Sequence, residues 1–187
     1  VPKLGLIAWA VLLGSLTGGC APADRQPPAV PQNSAETAKL AALQAEVDRL
    51  KSITATQSHV MSDVAIQFGN LWFAGEKKNW PLAAFYFNET RGRLMWMVRI
   101  NPTPKIPGGQ TADVKAIFDG IDTGALTPLK QAIDKKDAAQ FTAAYKTALE
   151  SCYACHKATG RAYLRPMIPA TKPQPIINVD PNANWPL

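Results

Sequence analysis

Residues 137–156 read DAAQFTAAYKTALESCYACH. Within this stretch Phe141, Ala144, Tyr145, Ala148, Cys152 and Cys155 recur at steps of three and four, which puts them on one stripe of an α-helix. Asp137 stands just ahead, where an acidic side chain accepts the unpaired N–H groups of a first turn. Working back along the chain, the same periodicity repeats. A helical region is expected over 111–136, with Val114, Ile117, Phe118, Ile121, Leu126, Leu129 and Ile133 apolar and one break at Gly124 or Thr127-Pro128. Another begins at Trp80-Pro81 behind a capping Asn79, carries Leu82, Phe85, Tyr86, Leu94 and Met97, and ends before Asn101-Pro102. Gly75, with Lys77, Lys78 and Asn79, reads as the stop before that restart. No stretch alternates with the period of a strand. The expectation is an all-α fold, a four-helix bundle whose last helix ends in the cysteine motif.

Ahead of the bundle, from Glu36, the composition turns to Ala, Leu, Glu, Lys and Gln, all good helix formers. Leu40, Leu43, Val47 and Leu50 fall at 3-4-3 spacing, and the register continues through Thr54 and Gln57 to Met61, Val64, Phe68 and Leu71. One long helix or two collinear ones would produce it, parting at the polar pair Thr54 and Gln57. Residues 36–58 are therefore read as an N-terminal helix, either a coiled coil joining subunits into a homo-oligomer or a stripe folded on its own domain. The bundle is assigned to 59–165. Residues 166–187 contain Pro166, Pro169, Pro173, Pro175, Pro181 and Pro186 and are expected to be extended.

The 187 residues are 47% hydrophobic and 18% charged, ordinary for one compact domain, with a formal charge of +6 that is spread along the chain. Nothing in that distribution calls for nucleic acid. Three cysteines exclude a disulfide-stapled miniprotein. Lys3, the apolar run 4–16 and then Thr17-Gly18-Gly19-Cys20 describe an export signal over 1–19, since the run is too short for a membrane span of roughly 20 residues. Cys20 after two glycines resembles a lipobox, which would leave Cys20 as a lipidated N-terminus and a membrane anchor. Residues 20–35, with Pro22, Pro27, Pro28 and Pro31, read as a flexible linker.

Cys152-Tyr153-Ala154-Cys155-His156 carries the chemistry. The spacing Cys-x-x-Cys-His is that of covalent haem c attachment: two thiols a helical turn apart form thioethers, and the adjacent imidazole serves as proximal iron ligand. Counting agrees, because one cysteine goes to the lipid and two to a single haem. A zinc site would need a fourth donor, and the only other histidine is His59. A redox dithiol usually opens a helix in a βαβ setting, which is lacking here.

A haem motif in the last helix of a bundle resembles the cytochrome c′ class. The segment Leu71-Trp72-Phe73-Ala74-Gly75, followed by Asn79-Trp80-Pro81-Leu82-Ala83-Ala84, is similar to a group of bacterial monohaem cytochrome lipoproteins. The likeness spans roughly residues 36–165. It implies His156 as proximal ligand and, as in low-spin members of the class, a methionine of the first bundle helix as the sixth. Met61 fits that position, on the stripe with Val64 and Phe68. His59, which should face outward if Met61 faces in, and Met167 are the alternatives, and an open iron is the fourth. Members of the Trp-containing group carry a histidine where this chain has Phe68, so Phe68 would give an apolar distal face. The class also places a basic residue near Arg161, which is assigned to a haem propionate. Lys157, Arg165, Arg91, Arg93 and Arg99 are read by default as solvated surface, the alternative being cations that neutralise propionates or steer an acidic redox partner.

The function expected is that of a lipid-anchored electron carrier between a redox donor and an acceptor protein, on the periplasmic or cell-surface side. Two histidines, one of them used, leave little for acid–base catalysis, so an enzyme is not expected. Two other roles remain open: a five-coordinate haem that binds NO or CO, and a haem subunit docked in a larger respiratory complex.

Overall fold

The structure, a computed structural model, describes residues 34–184. The signal 1–19, Cys20 and the linker up to residue 33 lie outside them, as do the last three residues. The chain divides into two compact units between Ser52 and Ile53. Among the described residues there are six α-helices and one π turn: α1 (Ser34–Ile53), α2 (Gln57–Glu76), α3 (Trp80–Ile100), α4 (Val114–Ile121), the π turn Asp122–Leu126, α5 (Thr127–Asp134) and α6 (Ala138–Ala158). A lone antiparallel bridge, Lys105 with Thr111, is the only strand-like pairing among them. No helix there is long and apolar enough to cross a membrane. The fold is all-α, a helical bundle.

The first unit contributes α1, a helix with no buried residue. Its side chains pair at helical spacing, Arg49 with Glu46 at 2.7 Å and Gln44 with Asp48 at 3.0 Å, which supports an exposed helix by a few tenths of a kcal/mol per pair. The helix is shorter than the 36–58 expected. It stops at Ile53, and Thr56 caps α2 by accepting from the His59 N–H, so Gln57 and Ser58 already belong to the bundle.

In the second unit the core is built by α2, α3, the α4–α5 pair and α6. Leu71, Ala74, Leu129, Phe141, Tyr145 and Ala148 are almost wholly buried there. The caps read from sequence are in place: Asn79 Oδ1 accepts from Leu82 N, and Asp137 Oδ1 accepts from Ala139 N and Gln140 N.

The stop and restart read at Gly75, Lys77, Lys78 and Asn79 is in place: α2 ends at Glu76, the left-handed turn falls on Lys78 (φ 55°) and Asn79 caps α3, while Gly75 itself lies beneath the Phe141 ring. Two expectations about the third region are corrected. The third region starts at Val114, not 111, because residues 104–112 form a small hairpin-like loop and Asp113 caps the helix through Ala116 N. Nor does that region break. It widens at Asp122–Leu126 into a π turn, where the N–H and the hydroxyl of Thr127 both donate to the Asp122 carbonyl. That wider turn carries the chain past Pro128, which has no N–H to give an α-helical ladder.

The tail over residues 166–184 contains neither helix nor strand, yet it is strapped to α2. Pro169 and Pro173 lie over Gly69, whose missing side chain makes room for them. Asn70, buried, donates from Nδ2 to Gln174 Oε1 at 2.9 Å and accepts from the Gln174 N–H. Farther on, Asn79 Nδ2 donates to the Val179 carbonyl. The tail thus follows α2 from its middle to its C-terminal end.

Candidate functional site

Cys152, Cys155 and His156 occupy the last turns of α6. The helix then ends in a Schellman closure: the Gly160 N–H donates to the Lys157 carbonyl and the Arg161 N–H to the His156 carbonyl. Gly160 sits at φ +73°, where a side chain would be strained, and is covered by Pro107 of the 101–113 loop. The closure turns residues 161–165 back along α6. There the His156 Nδ1 lies 2.8 Å from the Leu164 carbonyl. A carbonyl only accepts, so Nδ1 is the donor and Nε2 is the ring nitrogen left for a ligand. Tyr153 adds a second tie, donating its hydroxyl to the Ala162 carbonyl, and Lys157 lies 4.9 Å over the Tyr153 ring.

Both thiols are free and half-buried. Burial, with the neighbouring Cys155 adding to it, pushes the Cys152 thiol up to about 11. Burial also raises Cys155, partly offset by the charge of Arg161. A reactive redox dithiol needs the opposite, a thiolate stabilised at neutral pH. Among the described residues no three His, Cys, Asp or Glu side chains converge on one point as a metal centre would need. His59 is exposed on the first turn of α2, its Nδ1 2.9 Å from Thr56 Oγ1. A macrocycle makes a different demand: two thiols at two vinyl groups and one imidazole nitrogen at the metal. Two reduced thiols a turn apart, beside an imidazole whose Nε2 is left for a ligand, fit haem c.

Phe68 is buried and stacks on Tyr145, ring centroids 4.3 Å apart and nearly parallel. The Tyr145 hydroxyl donates to the Phe68 carbonyl at 2.9 Å. Trp72 and Phe141 continue this aromatic wall, with Trp80 at its end. These contacts run α2 antiparallel to α6, since Gly75 meets Phe141 at the start of α6 and Phe68 meets Tyr145 a turn later. Met61 lies two turns before Phe68 on the same stripe, and Cys152 two turns after Tyr145, so helix geometry brings the two to one level of the bundle. Met61 is half-buried and packed on the core.

Met167 is 72% exposed, whereas Ile168 next to it packs on the core. Arg161 is half-buried, close enough to act on the Cys155 thiol, and donates from Nη1 to the Thr159 carbonyl. Arg91 and Arg93 are held in ion pairs: Arg91 forms a two-pronged pair with Asp122 at 2.7 Å, and Arg93 reaches Asp63 and Glu89. Sequence reasoning missed Tyr153 and Leu164 as parts of the site. An amphipathic tyrosine between the two cysteines was a signal for the first; Leu164 acts through its backbone, so its side chain carried none. Comparison with protein-family models, with curated proteins and with solved structures finds no match in any of the three.

Proposed function

We propose that this chain is a c-type monohaem cytochrome of the four-helix, cytochrome c′-like kind, anchored by lipid at Cys20 and passing single electrons between a donor and an acceptor protein outside the cytoplasm. The observation that carries the reading is the Cys-x-x-Cys-His motif on the closing turns of α6, with the His156 imidazole oriented by the Leu164 carbonyl. Bound there, haem supplies a one-electron iron couple.

The chain's own residues do the rest. Cys152 and Cys155 would hold the haem as thioethers, each thiol adding sulfur to one vinyl carbon and its hydrogen to the other, which would need no oxidant. His156 presents Nε2, and its bond to Leu164 fixes the orientation of the ring. Arg161 offers a cation for a propionate carboxylate. Phe68, Tyr145 and Trp72 exclude water from the bundle side of α6. Met61, at the level of Cys152, would supply a thioether as a second protein ligand to the iron. The role is that of a carrier, not an enzyme.

A second reading keeps support from one observation. Phe68 is committed to the Tyr145 stack and offers only hydrocarbon, so a pocket in which Met61 stayed in the core would leave an open iron suited to NO or CO. One set of visible spectra separates the two, recorded oxidised, reduced, and reduced under CO, on the haem-loaded chain and on Met61→Ala. Electron transfer through Met61 predicts a low-spin reduced spectrum indifferent to CO, turned high-spin and CO-sensitive by the substitution. Prompt CO binding in the unsubstituted chain moves gas binding ahead. A chain that takes up no haem in a host equipped to attach it overturns both.

A further inference from the structure

We propose that the exposed stripe of α1 is the seam of a parallel two-stranded coiled coil with a second copy of this chain. Leu40, Leu43, Val47 and Ile53 are 62%, 54%, 42% and 66% exposed, on a helix that buries nothing. A 20-residue helix with that much apolar surface in water is marginal alone, because its ladder barely repays nucleation. Pairing would cover the stripe.

The residues say with what. Taking Leu40 and Val47 as heptad a positions makes Leu43 and Leu50 the d positions; of the two a residues Val47 is β-branched, and a β-branched a with leucine at d favours two parallel strands. The b, c and f positions are Ala41, Ala42, Ala45, Asp48, Arg49 and Ser52, small or charged as an outer surface requires. Glu46 falls at g and Lys51 at the e position five residues on, so a parallel pair sets Glu46 beside Lys51 of the second copy twice over, alongside the pairs each makes in its own helix with Arg49 and Asp48. The antiparallel alternative that keeps the seam, Leu40 on Leu50 and Leu43 on Val47, brings Glu46 opposite Glu46 of the other copy. The helix is therefore complementary to itself in one direction and repelled in the other. With barely two heptads the association is weak, and it is independent of the haem reading, since its readout is mass.

The test is the mass of the secreted Cys20→Ser chain, by light scattering and sedimentation over a concentration series. A monomer–dimer equilibrium is expected. Leu43→Asp should leave a monomer at every concentration, and its bundle should melt as before because α1 buries nothing. Glu46→Gln supplies the sign. In a parallel pair it removes two attractions and weakens association by roughly two- to thirtyfold, the range of two exposed ion pairs. In the antiparallel pair it relieves a repulsion and tightens association. A chain that stays monomeric throughout, a dimer indifferent to Leu43→Asp, or tighter pairing with Glu46→Gln each overturns the proposal.

Discussion

Gly75 and Gly92 both lie inside helices, and their surroundings assign them opposite effects. A methyl group at Gly75 would sit 2.1 Å from Phe141 Cε1, inside the aromatic wall between α2 and α6. A methyl at Gly92, exposed on α3, would have no atom within 4 Å. Gly75→Ala must push the Phe141 ring out of its packing and should cost about 2 kcal/mol, as overpacked cores do. Gly92→Ala relieves the backbone entropy of a helical glycine and should gain up to about 1 kcal/mol. Paired urea titrations measure both, and a Gly75→Ala chain as stable as the parent would contradict the packing described. From sequence Gly75 looks like punctuation, since glycine often ends helices. Its use as a notch for Phe141 depends on a residue 66 positions away. The candidate site divides in the same way. Cys152, Cys155 and His156 were legible because their spacing is their chemistry, while the Leu164 carbonyl that orients His156 belongs to a backbone on which the side chain is silent.

At the scale of elements, what was legible is what is local. Asn79 and Asp137 cap helices through groups two or three residues away, so the residue type in its sequence context suffices. The path around Pro128 was less so: proline forbids the α ladder but does not say whether the helix ends or widens, and the hydroxyl of Thr127 favours widening. The tail was least legible. Its prolines correctly exclude helix, yet nothing in them announces a strap on α2, which depends on the absent side chain of Gly69 and the amide of Asn70. That amide gives the strap a measurable strength. Gln174→Ala removes the acceptor for Asn70 Nδ2 and leaves a donor in a residue only 1% exposed without its partner. The expected loss is about 1–3 kcal/mol, the cost of a buried polar group left unpaired. Proteolysis should then cut the tail sooner than the helices, and an unchanged midpoint with unchanged tail protection would mean that the strap is not held by this pair.

For the whole molecule, the pH dependence of folding follows from which groups the bundle holds neutral. Burial raises the two thiols of the motif, Cys152 to about 11 from a usual 9.0, and raises the tyrosines Tyr86 and Tyr145 above their usual 10.0. All four are acids whose folded value lies above the unfolded one. Below pH 9 they are protonated in both states and contribute their full stability. Above it the unfolded chain releases protons that the folded chain retains, so stability falls with rising pH. The chain with free thiols should therefore keep a constant urea midpoint up to about pH 9 and lose stability between pH 9 and 11. Cys152→Ser should remove a large part of that slope, because the most raised thiol is gone. Haem attachment should do the same by turning both thiols into thioethers that do not titrate, leaving only the tyrosines and moving the fall to higher pH. Tyr145 then governs the remainder, since its hydroxyl must stay protonated to donate to the Phe68 carbonyl across the α2–α6 contact. A midpoint that stays flat to pH 11 with free thiols, or one that falls identically with Cys152→Ser, would show that the Cys152 thiol lies in water and not against the bundle. The level of the bundle assigned to Met61 would be wrong with it, because both placements rest on the same antiparallel run of α2 along α6.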